Sequence, residues 1–281
     1  MAKAFDYRRL VARLNLCPDT KPAAESPLPC RTPAVEDLIA TYPRRRPPLP
    51  AAQSASYLEH YRANRAGDRG VSRIVVKLES WMHRRVAEGT NEGSILEIGA
   101  GNLNHVPYHP NARVYDAVEP FRKLWEESPH LPRVRRIYTS LSEVPETERF
   151  DAILSIAVLE HLTELPSVLA RAGLLLEEGG TFRAGFPSEG GMLWGLAWRS
   201  TTGVEYFLKR GLAYSAIMRH EHVNTAKEII ALLGYFYERL EVSRFPLPFA
   251  HLSFYTAVTA SHPRLDRCRA VSVCPGAPSH E

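Results

Sequence analysis

The chain has 281 residues, of which 44% are hydrophobic and 23% are charged. These values are ordinary for a soluble globular protein that can bury a sizeable core. Its apolar runs are shorter than the roughly 18 residues that span a bilayer, and its first residues lack the apolar stretch of a secretory signal. Its four Cys, near the two ends, are too few for a disulfide framework. We therefore expect a cytoplasmic protein without a membrane span.

The positive charge of the chain lies in its first part. The formal net charge is +4, and residues 1–56 contain nine Lys and Arg against five Asp and Glu, whereas the remainder contains 26 of each. Because a neutral body offers no excess positive charge to a polyanion, we expect no nucleic-acid partner.

Residues 1–53 are predicted to form an extended or disordered arm. Nine of the 22 prolines lie among the first 50 residues, and proline removes backbone donors and disfavours helix interiors. A short helical segment is predicted at 34–41. The run Arg44-Arg45-Arg46 is interpreted as a solvated linker, with contact to a phosphate or a membrane surface as the alternative. We expect the arm to contribute little to the folded core.

Between residues 54 and 262, helical and strand patterns alternate, which predicts an α/β domain with a doubly wound sheet. Apolar residues at helical spacing cover 71–86, and proline and glycine bracket a helix at 167–177. The stretch from Thr225 to Glu228 has the capping-box pattern that opens a further helix. The strands are predicted at 94–98, 114–118, 135–138, 150–156, 181–186, 240–245 and 252–261.

An aromatic-rich insertion at 190–221 precedes the sixth predicted strand. Such a segment can roof a substrate pocket, or it can be a small helical subdomain that packs its own core. Residues 263–281 are predicted to be a C-terminal tail.

The sharpest signal is a strand that runs into glycines. Ile95-Leu96-Glu97-Ile98 is followed by Gly99-Ala100-Gly101, where the missing Cβ atoms allow a tight turn and a close approach of backbone to ligand. Glu119 follows Gly99 by 20 residues, at the end of the next predicted strand. An acid at this place accepts hydrogen bonds from the ribose hydroxyls of an adenosine. The pattern predicts a site for an adenosine-containing cofactor, with a tight turn beside a surface acid as the alternative.

The residues after the glycines argue against a dinucleotide. A dinucleotide fingerprint has Gly or Ala where this chain has Asn104. Pro107 and Pro110 leave little room for a helix whose N-terminus could bind a pyrophosphate. A dehydrogenase on this sheet is therefore disfavoured, and an uncharged adenosine thioether with an amino-acid tail fits better.

Together these segments resemble the class I S-adenosylmethionine-dependent methyltransferases, in particular the broad small-molecule group called type 11. The resemblance runs from residue 94 to 261, more than half of the chain. It includes, in chain order, the glycine loop, Val118-Glu119-Pro120, the block 150–162 with Glu160-His161, the block 174–187, and His222 ahead of the Thr225 cap.

The resemblance implies S-adenosyl-L-methionine as cofactor and a Rossmann-like seven-stranded sheet with N-terminal helices and an antiparallel last strand. Two positions depart from the family pattern: Leu103 stands where a third glycine is usual, and Ser140 stands where an acid often binds the adenine amino group. The residues implied to bind the cofactor are Glu97, Gly99, Ala100, Gly101, Glu119, Pro120, Ser140, Leu141, Ser155 and Ile156.

Two histidines are candidates for the chemistry. His222 lies between the aromatic insertion and the Thr225 cap, and we expect it to deprotonate or orient the acceptor as a general base. His161 follows the fourth predicted strand at the carboxyl edge of the sheet, where ligands bind, and we expect it to support the loop that carries the base. The stretch His220-Glu221-His222 suggests a metal, but a zinc site needs at least three protein ligands, so no metal is predicted.

The leading interpretation is a methyltransferase that uses S-adenosylmethionine to methylate a small molecule, such as a sugar, a lipid-linked compound or a secondary metabolite, at oxygen. A protein that binds the cofactor for regulation without transfer is the alternative, because Leu103 and Ser140 depart from the pattern. A nucleic-acid methyltransferase is disfavoured, because Ser155-Ile156-Ala157-Val158 stands where amino-group enzymes carry Asp/Asn-Pro-Pro-Tyr/Phe. The sequence defines neither the acceptor nor an oligomeric state.

Overall fold

The computed structural model describes residues 33–50, 73–90, 92–199 and 214–272. Seven strands lie in these ranges: β1 (Ser94–Ile98), β2 (Val114–Val118), β3 (Arg136–Tyr138), β4 (Phe150–Ile156), β5 (Leu176–Pro187), β6 (Tyr237–Pro246) and β7 (Ser253–Pro263). They form one sheet in the order β3-β2-β1-β4-β5-β7-β6. β1 to β5 run parallel, and β7 pairs antiparallel with both β5 and β6. This confirms the predicted doubly wound, seven-stranded sheet with an antiparallel last strand.

Eight α-helices lie in the same ranges: α1 (Pro33–Ala40), α2 (Arg73–Ala87), α3 (Arg122–Trp125), α4 (Leu165–Leu175), α5 (Met192–Trp198), α6 (Ser215–Glu221), α7 (Ala226–Phe236) and α8 (Leu265–Ser272). The helices predicted at 71–86 and 167–177 correspond to α2 and α4. Both hydrogen bonds of the capping box between Thr225 and Glu228 are present and open α7. Across the described ranges, none of the helices combines the length and apolarity that crossing a membrane requires.

The sheet is covered on both faces, which explains why its central strands are almost wholly apolar. Leu96 and Ile98 of β1 belong to a core cluster that also contains residues of α4, α7 and α8. Ile95, on the other face of β1, belongs to a second cluster with Met82 and Val86 of α2. Consequently β1 is buried at all five of its positions.

The strand order reverses between β1 and β4. β2 and β3 lie on one side of β1, whereas β5, β7 and β6 lie beyond β4. The loops that leave the carboxyl ends of β1 and β4 therefore diverge and leave a crevice, where ligands of doubly wound folds bind. These two loops begin at Gly99 and Ala157, so the candidate site residues gather at this point.

Residues 33–50 pack on the domain, which differs from the expectation of an arm that adds little to the core. Leu38 of α1 and Tyr42 pack against the first core cluster. Arg44 donates through Nη2 to Oε1 of Glu228 in α7 at 2.6 Å. The proline count did not indicate this packing, because the partners of the segment lie on an element far along the chain.

The predicted tail also contains part of the core. Cys268 of α8 is fully buried and lies so close to Gly173 of α4 that a Cβ on this glycine would touch its sulfur. The remaining parts of the predicted arm and tail, at 1–32, 51–53 and 273–281, lie outside the described residues.

Candidate active site

The glycine loop leaves β1 in a conformation that glycine adopts readily. Gly99 and Gly101 have φ angles of 76° and 51°, in the left-handed region. A Cβ on Gly99 would overlap the side chain of Val158 in the loop after β4. A Cβ on Gly101 would meet no atom of the described residues within 4 Å. The first glycine therefore permits close packing of two loops, and the second leaves an open approach for a ligand.

Glu119 lies at the end of β2 and faces this loop. Its Oε2 accepts a hydrogen bond from the backbone amide of Gly101 at 2.9 Å, and its Oε1 accepts one from the amide of Phe121 at 3.0 Å. The side chain is buried. Because each carboxylate oxygen can accept more than one hydrogen bond, the backbone orients Glu119 and leaves it able to accept from ribose hydroxyls.

Glu97 lies in the core beneath the loop. It is buried, and its Oε2 accepts a hydrogen bond from the hydroxyl of Tyr115 on β2 at 2.8 Å. Burial raises the pKa of Glu97 to about 8, against the opposing effect of this hydrogen bond, and the nearby Glu119 adds to the rise. Glu97 is thus a largely protonated side chain that joins β1 to β2 below the loop.

The other residues implied to bind the cofactor lie along the same edge of the sheet. Ala100 and Leu141 are buried, and Pro120 is exposed. Ser140 caps a short 3-10 turn, and its Oγ accepts a hydrogen bond from the amide of Ser142 at 3.1 Å. Its hydroxyl therefore already has a structural partner.

Ser155 and Ile156 end β4 at the crevice. Within the described residues, Oγ of Ser155 is buried and has no hydrogen-bond partner, which is the kind of polar atom that a bound ligand can satisfy. Ala157 follows with a φ of 55°, a strained conformation of a kind that clusters at functional sites. Leu103 has a φ of 65° and is fully buried, so the residue in place of a third glycine supports the core.

The structure brings the two candidate catalytic residues, His161 and His222, together. Their ring centroids are 4.8 Å apart, and the rings are perpendicular. Nδ1 of His161 donates to the carbonyl of Glu221 at 3.0 Å. His161 follows Val158, which packs against Gly99, so His161 lies in the loop that contacts the glycines, and His222 reaches it from the end of α6.

Sequence reasoning missed Glu189, which follows the carboxyl end of β5. Its Oε2 accepts hydrogen bonds from Nδ1 of His222 at 3.0 Å and from Nε1 of Trp194 at 2.6 Å. Burial lowers the pKa of His222, but the hydrogen bond to Glu189 and the surrounding carboxylates outweigh burial, so the pKa lies above 6.5. The available signal was an acid placed directly after a parallel strand at the ligand-binding edge.

A further carboxylate, Glu160, lies beside the histidines. It is 1% exposed, and its Oε1 lies 3.8 Å from Nε2 of His161. Its Oε2 is buried and makes no hydrogen bond within the described part of the chain. In the sequence, Glu160 stands out only as part of the block 150–162 that resembles the family.

Comparisons with known proteins find resemblance at the level of solved structures. A scan against protein-family models finds no match, and neither does a search of the curated proteins. The chain is similar to the N-methyltransferase NodS of Bradyrhizobium japonicum in complex with S-adenosyl-L-homocysteine: the identity is 14%, the TM-score is 0.47, and 69% of this chain and 90% of that chain are covered.

Two further structures resemble the chain to a similar degree. One is magnesium protoporphyrin IX methyltransferase (ChlM) from Synechocystis with bound SAH, at 14% identity and a TM-score of 0.49, covering 73% of this chain and 94% of that chain. The other is an O-methyltransferase family protein from Burkholderia thailandensis, at 15% identity and a TM-score of 0.48, covering 80% and 66%. The fold itself is defined by the strand order of the sheet.

The insertion at 190–221 is described up to residue 199 and again from 214. Trp194 of α5 packs against Tyr255 of β7, with ring centroids 5.9 Å apart. His220 lies in α6, with Nδ1 2.7 Å from the carbonyl of Pro47, whereas His222 contacts Glu189. Among the residues that the structure describes, no three His, Cys, Asp or Glu side chains are placed to hold a metal ion.

A cleft of about 530 Å³ opens at the opposite edge of the sheet, near the starts of β1 and β4. Arg113 and Asp151 line it and form an ion pair at 3.3 Å. Ligands of doubly wound sheets bind at the carboxyl ends of the strands. The candidate site therefore remains at the glycine loop and the histidine pair.

Proposed function

We propose that this protein is a methyltransferase that uses S-adenosyl-L-methionine to methylate a small molecule at oxygen, in the cytoplasm. The observation that carries the proposal is the position of the Glu119 carboxylate, held by the amide of Gly101 where the strand order reverses. Glu119, the open backbone at Gly101, and His222, which Glu189 orients, lie along one edge of the sheet. We infer that residues 54–262 form the catalytic domain, with 33–50 and α8 as packed extensions.

The residues at the crevice fit the proposed cofactor. Glu119 would accept hydrogen bonds from the ribose hydroxyls, and the backbone at Gly101 would lie against the ligand. The unpartnered Oγ of Ser155 supports a polar ligand close to the end of β4. When bound, the cofactor supplies a methyl group on a positively charged sulfur, which is a good leaving group.

The protein's own task is then to position the acceptor and to accept its proton. The carboxylate of Glu189 holds Nδ1–H of His222, which leaves Nε2 as the proton-accepting atom. Nε2 of His222 would accept the hydroxyl proton of the acceptor as its oxygen takes the methyl group, and the electron pair of the broken sulfur–methyl bond would stay on the sulfur. His161, bonded to the carbonyl of Glu221, holds the loop that precedes the base.

Titration calorimetry with S-adenosylhomocysteine tests the cofactor assignment. The wild-type protein is expected to bind this product, and Glu119→Ala is expected to bind it less tightly by about 2–3 kcal/mol, because a charged acceptor of two hydrogen bonds is lost. Glu127→Ala, at an exposed position, is the matched control and should bind normally. Failure of the wild type to bind, or unchanged affinity in Glu119→Ala, would contradict the proposal.

Transfer is tested separately, with methyl-labelled S-adenosylmethionine and a panel of small hydroxyl compounds. His222→Ala should lower turnover by about 100- to 10,000-fold with cofactor affinity largely preserved, as expected for loss of a general base. Binding of the cofactor without transfer to any member of the panel would favour the alternative, a protein that binds the cofactor for regulation.

A further inference from the structure

The surroundings of Glu160 contain hydrogen-bond acceptors in need of donors. The side chain is 1% exposed, and within the described residues its Oε2 has no hydrogen-bond partner. A buried carboxylate oxygen without a partner is costly, because desolvation is not offset by a hydrogen bond. Such an atom in a folded protein calls for a specific explanation.

The neighbouring histidines present acceptor atoms as well. Nδ1 of His161 faces a backbone carbonyl, that of Glu221, which can only accept, so Nδ1 must carry the proton. In the neutral ring, Nε2 then holds the lone pair, and this atom lies 3.8 Å from Oε1 of Glu160. With Glu160 ionised and His161 neutral, two acceptors face each other and no hydrogen bond joins them.

His222 also presents an acceptor atom. Its Nδ1 faces the carboxylate of Glu189 at 3.0 Å, and an ionised carboxylate only accepts. The burial of Glu189 is outweighed by its hydrogen bond to His222, so its pKa is lowered and the ionised form is favoured. Nε2 of neutral His222 is thus a third acceptor, on a ring that touches His161.

We propose that Glu160 and Nε2 of His161 bind a primary ammonium group of the methyl acceptor, which is therefore an amine-bearing small molecule. This rests on the proposed methyl transfer and names the substrate class for that same site. An ammonium group brings three N–H donors and a positive charge, so one group can donate both to the carboxylate of Glu160 and to Nε2 of His161, which lies 3.8 Å from Oε1 of that carboxylate. A hydroxyl group brings a single donor and no charge, and it would leave one of these acceptors unpaired.

The direct test is binding of size-matched amine and alcohol pairs to the full chain saturated with S-adenosylhomocysteine. The probes are 2-phenylethylamine with 2-phenylethanol, and ethanolamine with ethylene glycol, measured by calorimetry at about pH 8, where an alkyl ammonium group, like that of Lys, stays protonated. At least one amine should bind more tightly than its alcohol partner. Glu160→Gln should weaken that amine by about tenfold to a hundredfold, the worth of a hydrogen bond to a charged group, and should leave the alcohols unchanged.

Glu164→Gln is the matched control, because it removes the same charge from the same loop at an exposed position. It should bind each amine as the wild type does. The melting temperature of ligand-free Glu160→Gln should equal or exceed that of the wild type, because Oε2 of Glu160 makes no hydrogen bond among the described residues that the substitution could remove.

Three results would overturn the inference: no amine preferred over its alcohol partner, equal amine affinity in the wild type and Glu160→Gln, or a Glu160→Gln variant that fails to fold. Failure of Glu160→Gln to fold would mean that the Glu160 carboxylate is required for folding and not for ligand binding. Binding of S-adenosylhomocysteine is measured in the same samples. Loss of this binding in the wild type contradicts the proposed function, whereas normal binding without amine preference contradicts only the assignment of Glu160.

Discussion

Nδ1 of His222 and Oε2 of Glu189 lie 3.0 Å apart, although the two residues are separated by 33 positions in the chain. Glu189 comes from the end of β5 and His222 follows α6, so the pair joins the sheet edge to the insertion that follows it. The carboxylate fixes which ring nitrogen carries the proton. The pair therefore defines both the protonation and the orientation of the proposed base.

We expect Glu189→Gln to lower the pKa of His222. Burial opposes protonation of this ring, and the hydrogen bond to Glu189 is foremost among the effects that outweigh it. Because the pKa is raised in the folded state, protonation of His222 adds stability below about pH 6.5, and this stability is lost as the pH rises through the folded-state value. NMR titration of the imidazole protons measures the change directly.

Glu178→Gln, at an exposed position, is the control for this titration and should leave the curve of His222 in place. An identical titration in the wild type and Glu189→Gln would show that Glu189 does not set the charge of the ring.

Gly99→Ala should destabilise the protein more than Gly179→Ala does. Both glycines have nearly the same φ, 76° and 78°, so both substitutions carry a left-handed strain of about 1–2 kcal/mol. Only the Cβ at position 99 would also overlap Val158, whereas that at position 179 meets no described atom within 4 Å. Urea unfolding compares the two variants, and equal losses would mean that the packing of Val158 on the loop is unimportant.

Arg44→Ala should lower the free energy of unfolding by about 1–3 kcal/mol, the value of hydrogen bonds to a charged group. Arg44 is partly buried and donates to both oxygens of Glu228 and to the carbonyl of Val223. Arg45→Ala removes the same atoms from the adjacent, exposed position and should change stability little. If Arg44→Ala and Arg45→Ala lower the free energy of unfolding equally, the contact between Arg44 and Glu228 adds no stability, as expected for a solvated arm.

Three histidines in contact, His105 and His109 buried and His83 half-buried, should make the protein sensitive to acid. His83 and His105 share a hydrogen bond between their Nδ1 atoms at 2.9 Å, and His105 and His109 share one between their Nε2 atoms at 3.0 Å. Nδ1 of His109 faces the carbonyl of Thr90 at 3.3 Å and therefore carries a proton. With all three rings neutral, His83 can donate to His105 and His105 to His109. Burial lowers the pKa of His83 and His109 to about 4 and that of His105 to about 2.

The lowered pKa values of these histidines mean that acid destabilises the folded protein. Unfolded histidines take up protons below about pH 6.5, whereas the folded ones resist until a lower pH, so stability is present above 6.5 and is lost as the pH falls toward 4. His105→Leu should flatten the slope of unfolding free energy between these values by at most about 1.4 kcal/mol per pH unit, one proton's worth. His251→Leu, at an exposed position, is the control and should keep the wild-type slope. An unchanged slope in His105→Leu would contradict the lowered pKa of this histidine.

The sequence predicted the central strands and the glycine loop because their signals are local. The observed bounds of β1, β2 and β4 equal the predicted ones, since a parallel strand buried on both faces is a continuous apolar run. The spacing from Gly99 to Glu119 predicted a glycine loop and an acid at the ends of adjacent strands, and the structure adds a hydrogen bond from the amide of Gly101 to Glu119 that sequence reasoning did not include. The spacing is local, because only the loop after β1 and strand β2 lie between the glycines and Glu119.

The elements that sequence reasoning missed have weak local patterns. α8 has eight residues, and charged residues flank its buried Cys268 on both sides in the sequence. Cys268 therefore did not stand out as a core position. α1 was predicted as a helix, but its packing was not, because the prolines around it indicated an extended chain and its partner, α7, lies almost 190 residues further on.

Composition, strand periodicity and the glycine–acid spacing therefore determined the fold class and the place of the proposed cofactor site, because these features act over a few turns of chain. Only the tertiary structure decided that Glu189 orients His222, that Oε2 of Glu160 is buried with no hydrogen-bond partner among the described residues, and that Arg44 bonds Glu228. Each of these relationships depends on which loops the strand order brings to one edge of the sheet. Side-chain charge and tautomer then follow from the groups that meet there, and not from the residues that are neighbours in the chain.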